Sequence, residues 1–455
     1  MSVALGNDVA LRRGAVATMC GAPLVVLVNY ALPIMTMPDI ARSLGAGVSA
    51  QVWILNGAAL GLGSVLIAAG TVADAFGRRR VLMAGAALLA LSSLVAGAAD
   101  RPMVFVLARM VQGVASAMLL AASLGMLGHT FAGSPARPRL AGLWGSAASA
   151  GIASGPLLSS VLAEVWTWRA AYWLICAGSM ALWAASARLL PESRPGDRRQ
   201  LDLLGLALLG LGLVTVLAGL TEARQQWNGP VAIGLLVAGG VLMIVFGVVE
   251  ALGRTPMLDL ALFRSVSFVV ATGGAFMTGL TVVALMSCLP VMLQELRGLG
   301  ALAAAGLFAS WSGTAAVVAQ QARGWRFGGR LQLGIGLVVA GAGTVLLVSD
   351  VSHWSLLRIG AALGIAGIGT GLVNSALPGL AVASVPADRG AMGSGTNNAA
   401  RYIGSSVGVA IMVAFVTRSG ALNDHGLDRA ILVAAAAAEA TGVLILATRL
   451  HRSAR

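Results

Sequence analysis

The sequence predicts an all-α polytopic membrane protein, on three observations. Long apolar runs recur along the whole chain, short polar breaks separate them, and arginines gather on alternate breaks. Of 455 residues, 58% are hydrophobic and 10% charged, with a mean hydropathy of +0.88, which excludes an ordinary soluble globular domain. A spanning helix needs about 20 mainly apolar residues. Runs meeting this begin near Gly14, Gln51, Val81, Met103, Arg139, Arg169, Leu203, Pro230, Val266, Gly300, Leu331, Ser355, Gly390 and Ala430. The expected fold is therefore two pseudo-symmetric six-helix bundles plus two extra helices, fourteen transmembrane helices in all.

One break fixes the orientation. Gly70-Thr-Val-Ala-Asp74-Ala-Phe-Gly77-Arg78-Arg79-Arg80 lies between apolar runs 53–69 and 81–99. Each guanidinium costs about 2.5–3.5 kcal/mol at mid-bilayer, so three in a row form a turn in water, and short basic loops stay cytoplasmic. Counted outward from that turn, 20 arginines fall on the cytoplasmic side and eight outside, with Arg109 and Arg401 inside spans. Acidic residues divide evenly, as expected when only positive charge orients the chain. Both termini are then cytoplasmic in a multi-pass protein of the cell membrane.

The charged stretch 191–202 reads as a cytoplasmic linker. It separates an N-terminal six-helix bundle (1–190) from two extra helices (203–252) and a C-terminal six-helix bundle (253–455). Sixty glycines suit helices that approach closely in lipid. A net charge of +13 would suggest nucleic acid if it were concentrated, but the arginines are scattered through short loops, so no nucleic-acid partner is expected. Cys20, Cys176 and Cys288 fall in apolar runs without metal spacing and read as buried thiols. The apolar run from Gly14 is too long for a cleavable signal. No phosphate-cradling loop, nucleophile–base pair or metal constellation appears, so neither enzyme activity nor a cofactor or metal is expected.

Several motifs carry a family resemblance. The opening turn, with Gly70, Asp74, Gly77, Arg78, Arg79 and Arg80, is similar to the signature between spans two and three of the major facilitator superfamily. Span four holds Arg109-Met-Val-Gln112-Gly113, resembling the superfamily's intramembrane Arg-x-x-Gln-Gly motif. Span five holds Gly151-Ile-Ala-Ser-Gly155-Pro156, resembling the motif of antiporters, with Ser159 and Ser160 in place of its final glycines. Asn29 to Pro33, Gln51-Val-Trp53, Trp166-Thr-Trp168-Arg169, 364–371 and Asn397-Asn398-Ala-Ala-Arg401 look like the fourteen-helix drug:proton antiporter branch. Two departures stand out. The acid this branch places early in span one falls at Leu24, and the second-half turn, with Arg323, Arg326 and Arg330, has no Asp.

The resemblance implies that Asp74 latches the halves closed on the cytoplasmic side, whereas simple anchoring would account for the arginines alone. Arg109 and Gln112 share a helix face with Ser116, and a charge at that depth must face protein or a wet cavity, as a proton-coupling group would. Glu439 is the one carboxylate near the centre of a span. It is expected either to substitute for the missing span-one acid or to be a paired structural group. Gly151, Gly155 and Pro156 suit a bend in span five, or a packing seam, or both. Asn29, Trp53, Trp144 and Asn374 are candidate cavity residues by depth and polarity, with plain packing as the alternative; Asn397, Asn398 and Arg401 form, with Ser405, one polar stripe suited either to hydrogen-bonding a substrate or to joining helices.

The function implied is proton-driven export of small amphipathic organic compounds by alternating access, by a monomer. The alternatives are a same-fold importer or facilitator of a small metabolite, and a transporter-shaped sensor or accessory protein with lost proton coupling.

Overall fold

The computed structural model describes residues 2–131, 133–134, 136–192, 203–223, 229–253, 260–322, 324–325, 327–348, 355–386, 390–416 and 424–453. Helices carry nearly all of it, and no strand occurs among the described residues. In chain order they are α1 (Ser2–Ala31), α2 (Pro33–Leu44), α3 (Val48–Phe76), α4 (Arg78–Ala98), α5 (Pro102–Thr130), α6 (Arg137–Val165), α7 (Trp168–Leu189), α8 (Leu203–Ala223) and α9 (Pro230–Leu252). After a short 3-10 turn follow α10 (Val266–Thr278), a π-helical segment (Gly279–Val283) and α11 (Ala284–Arg297). Then come α12 (Ala301–Ala322), α13 (Gly329–Val345), α14 (Leu356–Ala383), α15 (Gly390–Val416) and α16 (Asp424–Ser453). Eleven helices among the described residues are long and apolar enough to cross a membrane, and two shorter apolar ones, Ala207–Ala223 and Gly329–Val345, accompany them. The chain is a multi-pass membrane protein.

The first apolar run breaks where sequence length alone suggests one helix. Pro33 stands at the first position of α2, where its missing N–H matters least and its fixed φ starts a new helix. The π-helical segment also has a local cause in packing. A Cβ on Gly279 would lie 1.9 Å from the Arg401 carbonyl oxygen, one on Gly404 2.1 Å from that of Phe276, and one on Gly408 2.1 Å from that of Leu280. Backbone touches backbone along that seam, and single π turns inside α-helices are frequent at functional sites. The same device joins α3 to α5, where a Cβ on Gly61 would meet the Met110 oxygen at 2.1 Å and one on Gly113 the Ala58 oxygen at 2.3 Å.

Helix pairings repeat between the two halves. In the first, α3 and α4 pack on α5, α4 on α7, and α1 on α6; in the second, α12 and α13 pack on α14, α13 on α16, and the π segment with α10 on α15. The extra helices α8 and α9 pack on each other, and α8 rests against α3 and α15. Much of α9 faces outward, with Val237, Val241, Ile244 and Val248 exposed, as a lipid-facing helix would be.

The halves meet along α6 with α12 and α14, and along α3 with α15. Met35 of α2 joins an apolar cluster with Leu285, Leu289 and Met292 of α11. Ile67 of α3 joins another with Val385, Met392 and Ala399 at the end carrying the arginine turn. Of the expected linker only Pro191 and Glu192 are described; 193–202 lie outside the described residues, as do Arg323 and Arg326 of the second-half turn. Arg330 of that turn donates to Ser267 Oγ at 2.6 Å. No disulfide joins the cysteines, and the expectation of three buried thiols needs correction: Cys20 is buried, but Cys176 and Cys288 are only half-buried, since an apolar run fixes that a helix lies in the bundle and not which of its residues face inward.

Candidate functional site

The arginine turn is built around Gly77, which ends α3 and starts α4 at φ +104°, a conformation that an L side chain resists. Space forbids a side chain too, since a Cβ there would stand 2.6 Å from Glu192 Oε1. A carboxylate is thus set at the N-terminus of α4, where the helix dipole favours negative charge. Asp74 pairs with Arg78 at 2.7 Å, one helical turn apart. Arg79 donates to the Ala187 carbonyl near the end of α7, and Arg80 reaches Glu192 at 3.6 Å. These contacts tie α3, α4 and the end of α7 into one corner of the first half. Gly70 lies one turn before Asp74, buried on α3.

Arg109 is fully buried in α5, with no carboxylate among the described residues at its guanidinium. Backbone and amide oxygens take its protons instead. One nitrogen donates to the Asn29 carbonyl at 2.9 Å, to Gln112 Oε1 at 2.8 Å and, more weakly, to Asn29 Oδ1 at 3.4 Å; the other donates to the Tyr30 carbonyl at 3.2 Å. Gln112 passes the network on to Ser93 Oγ at 3.1 Å. The i, i+3 spacing of Arg109 and Gln112 makes this pairing legible in sequence. The α1 carbonyls that complete it are not, because any residue supplies a carbonyl.

Gly151 and Gly155 let α6 press against α1. A Cβ on Gly151 would fall 2.6 Å from the Leu24 carbonyl, and one on Gly155 2.9 Å from that of Val28. Pro156 lies inside the same helix, and the N–H it lacks leaves the preceding turn free to bend. Leu24, standing where the branch has an acid, is partly exposed.

Between the halves lies a cavity of about 70 Å³, walled by Tyr30 of α1, Trp144, Ser149 and Ile152 of α6, Asn374 and Pro378 of α14, and Ser394, Asn397, Asn398, Arg401 and Tyr402 of α15. Drug-sized ligands occupy sites of about 300–1,000 Å³, so the halves are drawn together around it. One hydrogen bond crosses it, from Asn374 Nδ2 to Ser149 Oγ at 3.1 Å. Trp144 is fixed by donating to Ser123 Oγ at 3.0 Å, and the Tyr30 and Tyr402 rings stand 5.9 Å apart. Asn397 donates to the Ala271 carbonyl at 2.8 Å and Asn398 to that of Ser394 at 3.0 Å.

Five of the seven candidate cavity residues, Trp144, Asn374, Asn397, Asn398 and Arg401, therefore come together around one cavity, Trp144 from the first half and the rest from the second. Asn29 is held by Arg109 instead, and Trp53 packs with Leu60 and Leu217. Glu439 lies apart from the cavity on α16; a Cβ on Gly341 of α13 would meet its Cγ at 2.7 Å. Ser149, Tyr30 and Tyr402 were not singled out from sequence. Their only signal is a polar atom within an apolar run, shared with many packing serines and tyrosines.

A helical bundle with repeated halves and a polar cavity between them is the architecture of a secondary transporter. A sequence profile of the Major Facilitator Superfamily matches residues 19–409, and the chain belongs to that superfamily. It is 32% identical to the puromycin resistance protein Pur8 of Streptomyces alboniger over 61% of this chain and 55% of that one. It is 31% identical to the cephamycin export protein CmcT of Amycolatopsis lactamdurans over 55% and 52%. Against the multidrug efflux pump LfrA of Mycolicibacterium smegmatis it is 27% identical over 64% and 58%. In these alignments the chain spans about half the length of the relatives it matches. The crystal structure titled human organic anion transporter MFSD10 (TETRAN) superposes with a TM-score of 0.68 over 95% of this chain and 99% of that one, at 18% identity, a likeness of fold. The superfamily is one of transporters rather than enzymes.

Proposed function

We propose that this chain is a secondary active exporter of small amphipathic organic compounds, a proton antiporter that exposes one central site to each side of the membrane in turn. The observation that carries the reading is the cavity itself. Both halves supply its wall, and a hydrogen bond joins them across it, so rocking one half against the other would open or close it. The seam of Gly151 and Gly155 with Pro156, and the roles for which three relatives are named (puromycin resistance, cephamycin export, multidrug efflux), favour export of organic molecules over uptake.

Within this reading the membrane is crossed fourteen times. The two shorter apolar helices and α15 complete the eleven long ones, divided as 1–190, 191–202, 203–252 and 253–455, with both termini cytoplasmic. Asp74 and the arginine turn serve as the latch, through the corner they form with Glu192 and α7. Arg109 and Gln112, tied to α1 at Asn29 and Tyr30, serve the proton-coupling path together with Glu439, the carboxylate that substitutes for the acid missing at Leu24. The protein works as a monomer in the bilayer. The absence of a carboxylate from the cavity wall favours a second reading, a transporter-shaped sensor or accessory protein without proton coupling.

Efflux of a fluorescent amphiphile from cells carrying the protein, followed before and after a protonophore collapses the gradient, separates these. Export that stops with the gradient supports the antiporter. Efflux down the substrate gradient that ignores the protonophore indicates a facilitator, and no efflux at all indicates the sensor.

A further inference from the structure

Two guanidiniums lie within the helical bundles, and their surroundings differ. Arg109 spends its protons on Asn29, Tyr30 and Gln112. Arg401 has no hydrogen-bond or ion-pair partner among the described residues, and none of its nitrogens is both sealed from solvent and unbonded. Its donors therefore open onto the cavity it lines, within electrostatic reach of Tyr30 and Tyr402. No Asp or Glu among the described residues lines that cavity. A guanidinium stays protonated at any physiological pH, so the site holds one uncompensated positive charge. Leaving such a charge partnerless in a low-dielectric site is costly, and an opposite charge arriving there is attracted far more than in water.

A second orphan sits in the same wall. Asn374 Oδ1 is buried with no donor, while its amide nitrogen is committed to Ser149. A molecule satisfying both would bring an anionic group to Arg401 and a hydrogen-bond donor to Asn374. Between them it would lay a flat apolar body against Trp144, Tyr30 and Tyr402.

We infer that the cavity is an anion-accepting site whose preferred ligand is an amphiphile carrying a single carboxylate, held by Arg401. One cation matches one anion, and the planar fork of guanidinium donors fits a carboxylate in two parallel hydrogen bonds. The inference rests on the exporter reading, since it deepens what that site takes, yet it concerns equilibrium binding and can be tested apart from transport.

The test uses the purified full chain in detergent and three probes that share one apolar body: pyrenebutyrate, its methyl ester and pyrenebutylamine. Binding is followed by energy transfer from tryptophan to pyrene. The wild type is expected to bind pyrenebutyrate at least about tenfold more tightly than the ester, and the amine most weakly, the difference one good charge-assisted pair makes. Arg401→Gln should bring pyrenebutyrate down to the affinity of the ester while leaving the ester unchanged, and Arg401→Lys should restore part of the preference. Equal affinities for the three probes, or a preference for the amine, in the wild type overturns the inference without any variant. So does an Arg401→Gln protein that still prefers the carboxylate. The same protein in liposomes then reports separately on export. Carboxylate-selective binding without gradient-driven movement defeats the exporter reading and leaves the binding preference standing.

Discussion

Arg109 and Arg401 carry the same group into opposite halves of the molecule and predict opposite responses to its removal. Arg109→Gln takes donors away from the buried Asn29 and Tyr30 carbonyls, and each orphaned acceptor costs about 1–3 kcal/mol. A clear fall in melting temperature of the purified protein is expected, together with loss of transport. Arg401→Gln orphans nothing and removes a partnerless charge from a low-dielectric site, so its melting temperature should not fall below that of the wild type while ligand binding changes. A melting curve of each variant checks both, and comparable losses in the two would show that Arg401 is structural. For Glu439→Gln the expected outcome is protein that folds but no longer exports against a gradient, read in the protonophore assay. Retained gradient-driven export would remove Glu439 from the coupling path. At this scale the sequence made the polar residues visible and left their partners hidden. Arg109 and Gln112 show themselves by spacing, whereas Arg79 finds the Ala187 carbonyl 108 positions away and Asn374 finds Ser149 225 positions away, with no local pattern to announce either.

At the scale of elements, backbone proximity rather than side-chain volume sets the packing. Gly113→Leu would drive a branched side chain into the Ala58 carbonyl, already 2.3 Å from where a Cβ would stand. Overpacking of this kind costs about 1–3 kcal/mol, and a helix backbone cannot step aside as a side chain does. Gly306→Ala on α12, where nothing lies within 4 Å of the added Cβ, should be nearly silent. Paired melting curves test the contrast. The arginine corner is an element-scale device as well. Asp74→Asn removes the charge that faces Arg78 at 2.7 Å and is expected to slow transport at equal expression; unchanged turnover would leave the turn with anchoring alone. Helix existence and order were readable from hydropathy because a run of about 20 apolar residues has few other uses. The Pro33 break and the π turn were less so, since one depends on which side of the proline the chain resumes and the other on contact with α15.

For the whole molecule, arginine asymmetry and the run count predicted a two-half bundle, and the repeated pairings of α3, α4 and α5 with α12, α13 and α14 display it. The cavity could not be located from sequence beyond its polar residues, because its walls come from five α-helices and the π segment, spread from Leu27 to Tyr402. Reporter fusions at the two ends should both read cytoplasmic. A split result would remove one crossing from the count and invert the second half.

The crossing hydrogen bond between Asn374 and Ser149 spans a space of only about 70 Å³, and the kinetics of capture follow from that tightness. A guest of drug size fits only after the walls part, so its association is limited by how often they do so and not by how often molecules collide. Enlarging the guest at constant charge should therefore slow its arrival and, because release passes through the same opening, its departure as well. Severing the bridge with Ser149→Ala should hasten arrival for large guests more than for small ones.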